Sequence, residues 1–182
     1  MDGTEFSREI RKAKTPDERV AWFGALLRKE AGTDVEVVGG SAIEIYLTSS
    51  AYVSDDIDIV GNPRAVENAL RTWEFDQVKG RSQRIYWTHP GVGLVDLVGA
   101  ADRSGLPPRR VMTPHGPVTL SAPEPLIVRR LFRAKREKSA ELFRQAVALG
   151  RQKDLDWDYL ESEARYEGVG SDLLKLRKIL RG

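Results

Sequence analysis

The chain has 182 residues, a formal net charge of +2, 41% hydrophobic and 31% charged residues, and no cysteine. That length suffices for one domain with a buried core, or for one domain with a small appended lobe. The missing cysteine excludes structural disulfides and thiolate zinc sites and suits a reducing cytoplasm. No apolar run approaches the roughly 18 residues of a membrane span, and the charged stretch from Met1 to Lys14 lacks the apolar centre of a secretion signal. A cytoplasmic protein without membrane contact is therefore expected.

In chain order, Thr15-Pro16-Asp17-Glu18 combines an N-cap, a proline at the first helical position and a capping-box glutamate. It predicts a helix from Pro16 to about Ala31, stopped by Gly32, with Val20, Phe23, Leu26 and Leu27 on its apolar stripe. Val35 to Val38 reads as a short strand, Ser41 to Leu47 as a short helix and, after a polar linker, Asp56 to Val60 as a buried strand. Asn62-Pro63 caps a helix that ends near Trp73. Strands follow at Phe75 to Val78, Arg84 to Thr88 and Gly93 to Val98, and a hairpin joins Arg110 to Thr113 with Val118 to Leu120 across Pro114-His115-Gly116-Pro117. The implied core is a five-stranded mixed sheet with flanking helices.

From Ser121 onward everything reads helical. Ser121-Ala122-Pro123-Glu124 repeats the cap, proline and glutamate pattern, and helices are predicted at about Pro123 to Lys135, Lys138 to Leu149, Asp158 to Arg165 and Asp172 to Leu180. The expected organisation is an α/β (α+β) core over 1–120 and a C-terminal helical bundle, packed on it, over 121–182. The second part is the basic one, with 14 Lys/Arg against 10 Asp/Glu, compared with 15 against 17 in the first. Between Arg129 and Lys153 nine basic residues face only Glu137 and Glu141, a footprint suited to phosphate, although a solvated helix face would look the same.

Chemistry concentrates between Val38 and Val60. Side chains alternate along a strand, so Asp56 and Asp58 point one way while Ile57 and Ile59 point into the core. Two adjacent carboxylates repel each other, and a divalent cation relieves the repulsion. Magnesium or manganese, with carboxylate and phosphate oxygens as ligands, suits this donor set. Asp96, alone among the apolar residues of Gly93 to Val98, is the candidate third acid if its strand neighbours that of Asp56. The three could then hold two metal ions about 4 Å apart. Gly39-Gly40-Ser41 lies between strand and helix, where glycines admit close backbone approach and the helix start favours the phosphates of a nucleoside triphosphate. Ser41 is the candidate hydroxyl contact.

This pattern resembles the nucleotidyltransferase superfamily of the polymerase-beta type. Gly39-Gly40-Ser41-Ala42, Ser54-Asp55-Asp56-Ile57-Asp58, Ser121-Ala122-Pro123-Glu124-Pro125-Leu126 and Leu155-Asp156-Trp157-Asp158-Tyr159-Leu160 are similar to bacterial minimal nucleotidyltransferases related to the AbiEii toxins of toxin-antitoxin systems. The resemblance implies transfer of a nucleoside monophosphate from a triphosphate such as ATP or GTP to an acceptor hydroxyl, with release of pyrophosphate. It assigns Asp56, Asp58 and Asp96 as catalytic metal ligands and Gly39, Gly40 and Ser41 as phosphate contacts. Where relatives often carry a lysine for the triphosphate, this chain offers Arg129 and Arg130, and where many carry an acid with Arg or Lys it has Ala140, Glu141 and Arg144. A tRNA end as acceptor and a cognate antitoxin as partner are further implications; a protein hydroxyl or an aminoglycoside-like molecule remains open as acceptor.

Two other readings fit the residues. One is a catalytically silent nucleotide-binding or partner-binding module of the same fold. The other is a metal-dependent glycosyltransferase using Asp-x-Asp, a chemistry that does not need the Gly-Gly-Ser helix start. His89 and His115, beside prolines in turns, are expected at the surface, without the spacing of zinc ligands. Arg84, Tyr86 and Trp87 could form a basic, aromatic surface, and strand alternation puts Trp87 on the core side. Trp22, Trp73 and Trp157 are expected to pack.

Overall fold

The computed structural model describes residues 1–32, 35–48, 54–80, 84–102 and 104–182. Most of the polar linker before Ser54, residues 49–53, lies outside the described residues. The chain divides into two compact units, Met1–Ser121 and Ala122–Gly182.

In the first unit, α1 (Gly3–Ile10) is capped by Asp2, whose carboxylate accepts from the Glu5 amide. Thr15 caps α2 (Pro16–Ala31) by accepting from the Glu18 amide, while the Glu18 carboxylate accepts from the Lys14 amide, one residue earlier than in a standard capping box. The chain continues through β1 (Glu36–Val37), α3 (Gly39–Leu47), β2 (Asp56–Val60), α4 (Pro63–Thr72), β3 (Asp76–Lys79), β4 (Ile85–His89), β5 (Gly93–Gly99), β6 (Arg109–Thr113) and β7 (Gly116–Leu120).

These strands form one seven-stranded sheet in the order β3-β4-β5-β2-β1-β7-β6, not the five-stranded sheet expected. The hairpin β6-β7 joins it because Val37 of β1 pairs with Leu120 of β7 in parallel. A two-residue strand gives almost no sequence signal for such a junction. The other pairings are antiparallel except β2 with β5, which run parallel.

The core lies between one sheet face and the helices α2, α3 and α4. Ile57, Ile59, Trp87 and Val95 are buried, as are Val20, Phe23 and Leu27 of α2, while Leu26 is half-buried. Helix α2 approaches β1 and β7 closely at Gly24, where an added Cβ would meet Val118 at 2.9 Å and Val37 at 3.0 Å. Phe6 of α1 stacks on Trp73 with ring centroids 4.4 Å apart and meets Phe23, Phe75 and His89.

His89 is therefore not a surface turn residue but a buried member of this aromatic cluster. Its Nδ1 accepts from the Gly91 amide at 3.0 Å, which places the proton on Nε2, 3.1 Å from Ser7 Oγ. The ring is thus a donor to Ser7 and not a base for it. His115 is half-buried and stacks on Trp22 with a centroid separation of 3.8 Å.

The second unit contains α5 (Pro123–Glu137), α6 (Ala140–Leu149), α7 (Trp157–Tyr166) and α8 (Gly170–Arg181), which pack on one another. Lys138, with φ of 53°, ends α5, and Ser139 then caps α6. The expected Ser121 cap of α5 is not formed: Ala122 is the N-cap without a side-chain bond. Glu124 instead turns to α7, where its carboxylate accepts from the Asp156 amide at 2.9 Å. Leu131, Leu149, Leu160 and Leu176 are fully buried. No helix among the described residues is long and apolar enough to cross a membrane.

Candidate active site

The parallel pairing of β2 with β5 sets Asp58 directly opposite Asp96, with Asp56 opposite Leu94. Carboxylate oxygens of Asp56, Asp58 and Asp96 all lie within 4.8 Å of one another. The acids project from the strand face opposite to that of Ile57 and Ile59, as alternation requires. Asp56 and Asp58 are half-buried, whereas Asp96 is only 3% exposed.

Burial pushes the Asp96 carboxyl above its ordinary value of 3.8; Arg84 opposes this shift and the charge of Asp56 reinforces it. Arg84 Nε lies 3.0 Å from Asp96 Oδ1, an ion pair between a 44% exposed guanidinium and a nearly buried carboxylate. The pair lacks the alignment of a hydrogen bond, so Oδ1 accepts none among the described residues. A buried carboxylate oxygen in that condition, beside two further carboxylates, fits a hard divalent cation of the magnesium or manganese type.

Helix α3 starts against these acids. Gly39 has a φ of 61°, and a Cβ there would run into the Asp58 carboxylate, so both the left-handed backbone and the close approach demand glycine. Val38, the N-cap, supplies no side-chain bond, which leaves the opening amides of α3 and the positive end of its dipole without a side-chain cap. An anion at this point would lie beside the cation site. Ser41 is fully buried, and its hydroxyl donates to the Asp56 carbonyl at 2.7 Å. The single hydroxyl proton of Ser41 is thereby committed to the backbone of β2. Asp55 is exposed.

Arg129 and Arg130 belong to the second unit. Arg129 is exposed and lines a groove of about 300 Å³ with Pro125, Val128, Phe132, Glu163 and Glu167, while Arg130 is 4% exposed. Several of the surrounding bases are committed locally: Arg133 and Arg136 pair with Glu137, and Arg144 with Glu141.

Glu44 was not singled out from the sequence, and Arg84 was expected only as part of a basic, aromatic surface. Arg84 pairs with Asp96 across strands, which its position in the sequence does not signal. Glu44 is 1% exposed and accepts from the Ser54 amide at 3.1 Å. Its signal was present as a lone charge within Ala42-Ile43-Glu44-Ile45.

A scan against protein-family models and a search of curated proteins give no match. Solved structures do match. An antigenic nucleotidyltransferase-like protein from Paracoccidioides brasiliensis superposes with a TM-score of 0.59 at 15% identity, over 91% of this chain and 95% of that one. The antibiotic-resistance factor ANT(2'')-Ia superposes with a TM-score of 0.54 at 16% identity, over 90% and 98%. The chain has a nucleotidyltransferase-like fold. At these identities the likeness establishes architecture, and the chemistry rests on the residues described above.

Proposed function

We propose that this protein is a metal-dependent nucleotidyltransferase that moves a nucleoside monophosphate from a triphosphate, such as ATP or GTP, to an acceptor hydroxyl. The observation that carries the reading is the convergence of three carboxylates on the strand face against which the helix start at Gly39 is packed. A bare acidic cluster would suit many cations. An acidic cluster joined to an anion-favouring helix start suits a cation with a polyphosphate.

In this reading Asp56, Asp58 and Asp96 hold magnesium or manganese, which when bound neutralises charge on the reacting phosphate and lowers the pKa of an attacking hydroxyl. The amides at Gly39 and Gly40 hold the leaving phosphates, with Ser41 fixing the helix start to Asp56. Asp96 orients the acceptor hydroxyl, and Arg129 and Arg130 are candidates for further triphosphate contacts.

For the acceptor, the resemblance to AbiEii-related enzymes and the basic second unit support a tRNA end, with a toxin role, a cytoplasmic setting and a cognate antitoxin as corollaries. The neighbour described as an antibiotic-resistance factor makes a small molecule the alternative arm of the test. Incubation with each radiolabelled triphosphate, magnesium and a total cell extract should label RNA, and Asp58→Ala should abolish the labelling. Label confined to small molecules would overturn the tRNA assignment. Triphosphate binding without label in any fraction would identify a silent nucleotide-binding module, and no magnesium-dependent binding at all would overturn the whole reading.

A further inference from the structure

Helix α3 contains one buried charge that the proposed reaction does not use. Glu44 is 1% exposed, its neighbours Ala42, Ile43 and Ile45 are buried and apolar, and an apolar residue would pack at this position without removing a carboxylate from water. Its place becomes intelligible from the edge of β2. Strand β1 is two residues long and pairs with β2 only at Val60 and Ile59. The β2 edge at Asp58 and Asp56, and the segment from Ser54 that leads into it, continue past the end of that partner, and their backbone groups need other partners.

Three groups supply them in succession. The Val38 amide donates to the Asp58 carbonyl at 2.9 Å, the Ser41 hydroxyl donates to the Asp56 carbonyl at 2.7 Å, and the Glu44 carboxylate accepts from the Ser54 amide at 3.1 Å. Asp56 and Asp58 are two apart on β2 and so present their carbonyls to one edge, and Ser54 lies just before the strand, where the chain bends into it at Asp55. Ser41 and Glu44 are three apart on α3 and share a face. The helix whose start adjoins Asp58 thus also holds the backbone from which Asp56 and Asp58 project.

We propose that Glu44 is a positioning residue for the acidic cluster, fixing the approach of the chain to Asp56 through the Ser54 amide and thereby setting the affinity of the cluster for a divalent cation. This inference rests on the reading of Asp56, Asp58 and Asp96 as a cation site, but not on any transferase activity. Groups that orient metal ligands from behind typically change metal affinity by about 10-fold to 100-fold when removed.

The test is calorimetric titration of the full chain with Mn²⁺, with Asp58→Asn as the control that removes the site. Glu44→Met keeps length and helix propensity and removes the acceptor. It should retain the wild-type melting temperature or exceed it, yet bind Mn²⁺ about 10-fold more weakly. Glu44→Gln keeps an acceptor oxygen for the Ser54 amide and should bind within about threefold of wild type, in line with a near-intact orienting bond. A folded Glu44→Met with wild-type affinity overturns the proposal, as does a Glu44→Gln that loses as much as Glu44→Met. Should Glu44→Met fail to fold, Glu44→Gln still decides: retained affinity with a protected Ser54 amide in hydrogen exchange supports the role, and a tenfold loss overturns it. A wild-type chain that binds no Mn²⁺, or binds it unchanged in Asp58→Asn, overturns the cation-site reading itself. That outcome is distinct from a defect confined to the Glu44 variants.

Discussion

The acids of β2 and β5 and the bases of α5 and α6 are the two charged regions of this chain, and they are held in opposite ways. Asp96 is nearly buried, faces two other carboxylates and has one poorly aligned guanidinium for company. Arg136 and Arg144 are exposed and Arg133 is half-buried, and all three form ion pairs with Glu137 or Glu141 within their own helices. Exposed pairs of the second kind change stability little, because water already solvates both partners. Three carboxylates gathered at such close range in a partly buried site repel one another, and a divalent cation would offset that cost. The contrast makes the acidic face the candidate site and the basic helices a candidate accessory surface.

The largest test of the contrast is Asp58→Ala. Triphosphate-dependent labelling should fall by more than about 100-fold, the upper range for residues that only orient a ligand, while the chain should remain folded, as read by thermal melting. A variant that is destabilised and still active would remove the distinction between the two regions. Gly39→Ala comes next. Its Cβ collides with the Asp58 carboxylate and its backbone is left-handed, so stability should fall by about 1–2 kcal/mol and Mn²⁺ affinity should fall with it, read by thermal melting and titration.

Arg84→Gln should act with opposite signs on the two measurements. The metal-free protein should lose on the order of 1 kcal/mol, reduced by the exposure of Arg84, and Mn²⁺ should bind a few-fold more tightly because a competing cation has left Asp96. Weaker Mn²⁺ binding would mean that Arg84 supports the cation site and does not compete with it.

His89 supplies a pH test away from both charged regions. Burial depresses its pKa below the ordinary 6.5, so the folded state prefers the neutral ring. The unfolded chain then binds more protons between that lowered value and 6.5, and stability should fall as pH drops through this window. In His89→Asn, which keeps an acceptor for the Gly91 amide, the melting temperature should be lower and its dependence on pH across the window flatter. The smallest expected effect is that of Arg144→Ala, where the melting temperature should not change measurably. A clear loss would show that the pairing in the second unit is structural after all.

Much of the fold was legible because it is written locally. Thr15-Pro16 and Asn62-Pro63 mark helix starts that cap and proline chemistry imposes on any chain, and α2 and α4 begin there. Asp56 to Val60 coincides with β2 because alternation over five residues is a local pattern. Helix α1 gave only Phe6 and Ile10 as apolar signal, and its stability comes from Trp73 and His89, far along the chain. The burial of His89 was hidden for the same reason: its partners Ser7 and Phe6 are about 80 residues away.

By itself, then, the sequence determined that Asp56 and Asp58 share a strand face and that a glycine pair stands at the start of the preceding helix, because residue spacing and backbone geometry act within a few residues. Only the tertiary structure decided that β5 lies parallel beside β2, so that Asp96 meets Asp58, that Arg84 reaches Asp96, and that Glu44 and Ser41 hold the edge β1 leaves bare. Strand order and edge pairing follow from burying one face of the sheet against α2, α3 and α4, a condition that no single segment of the chain contains.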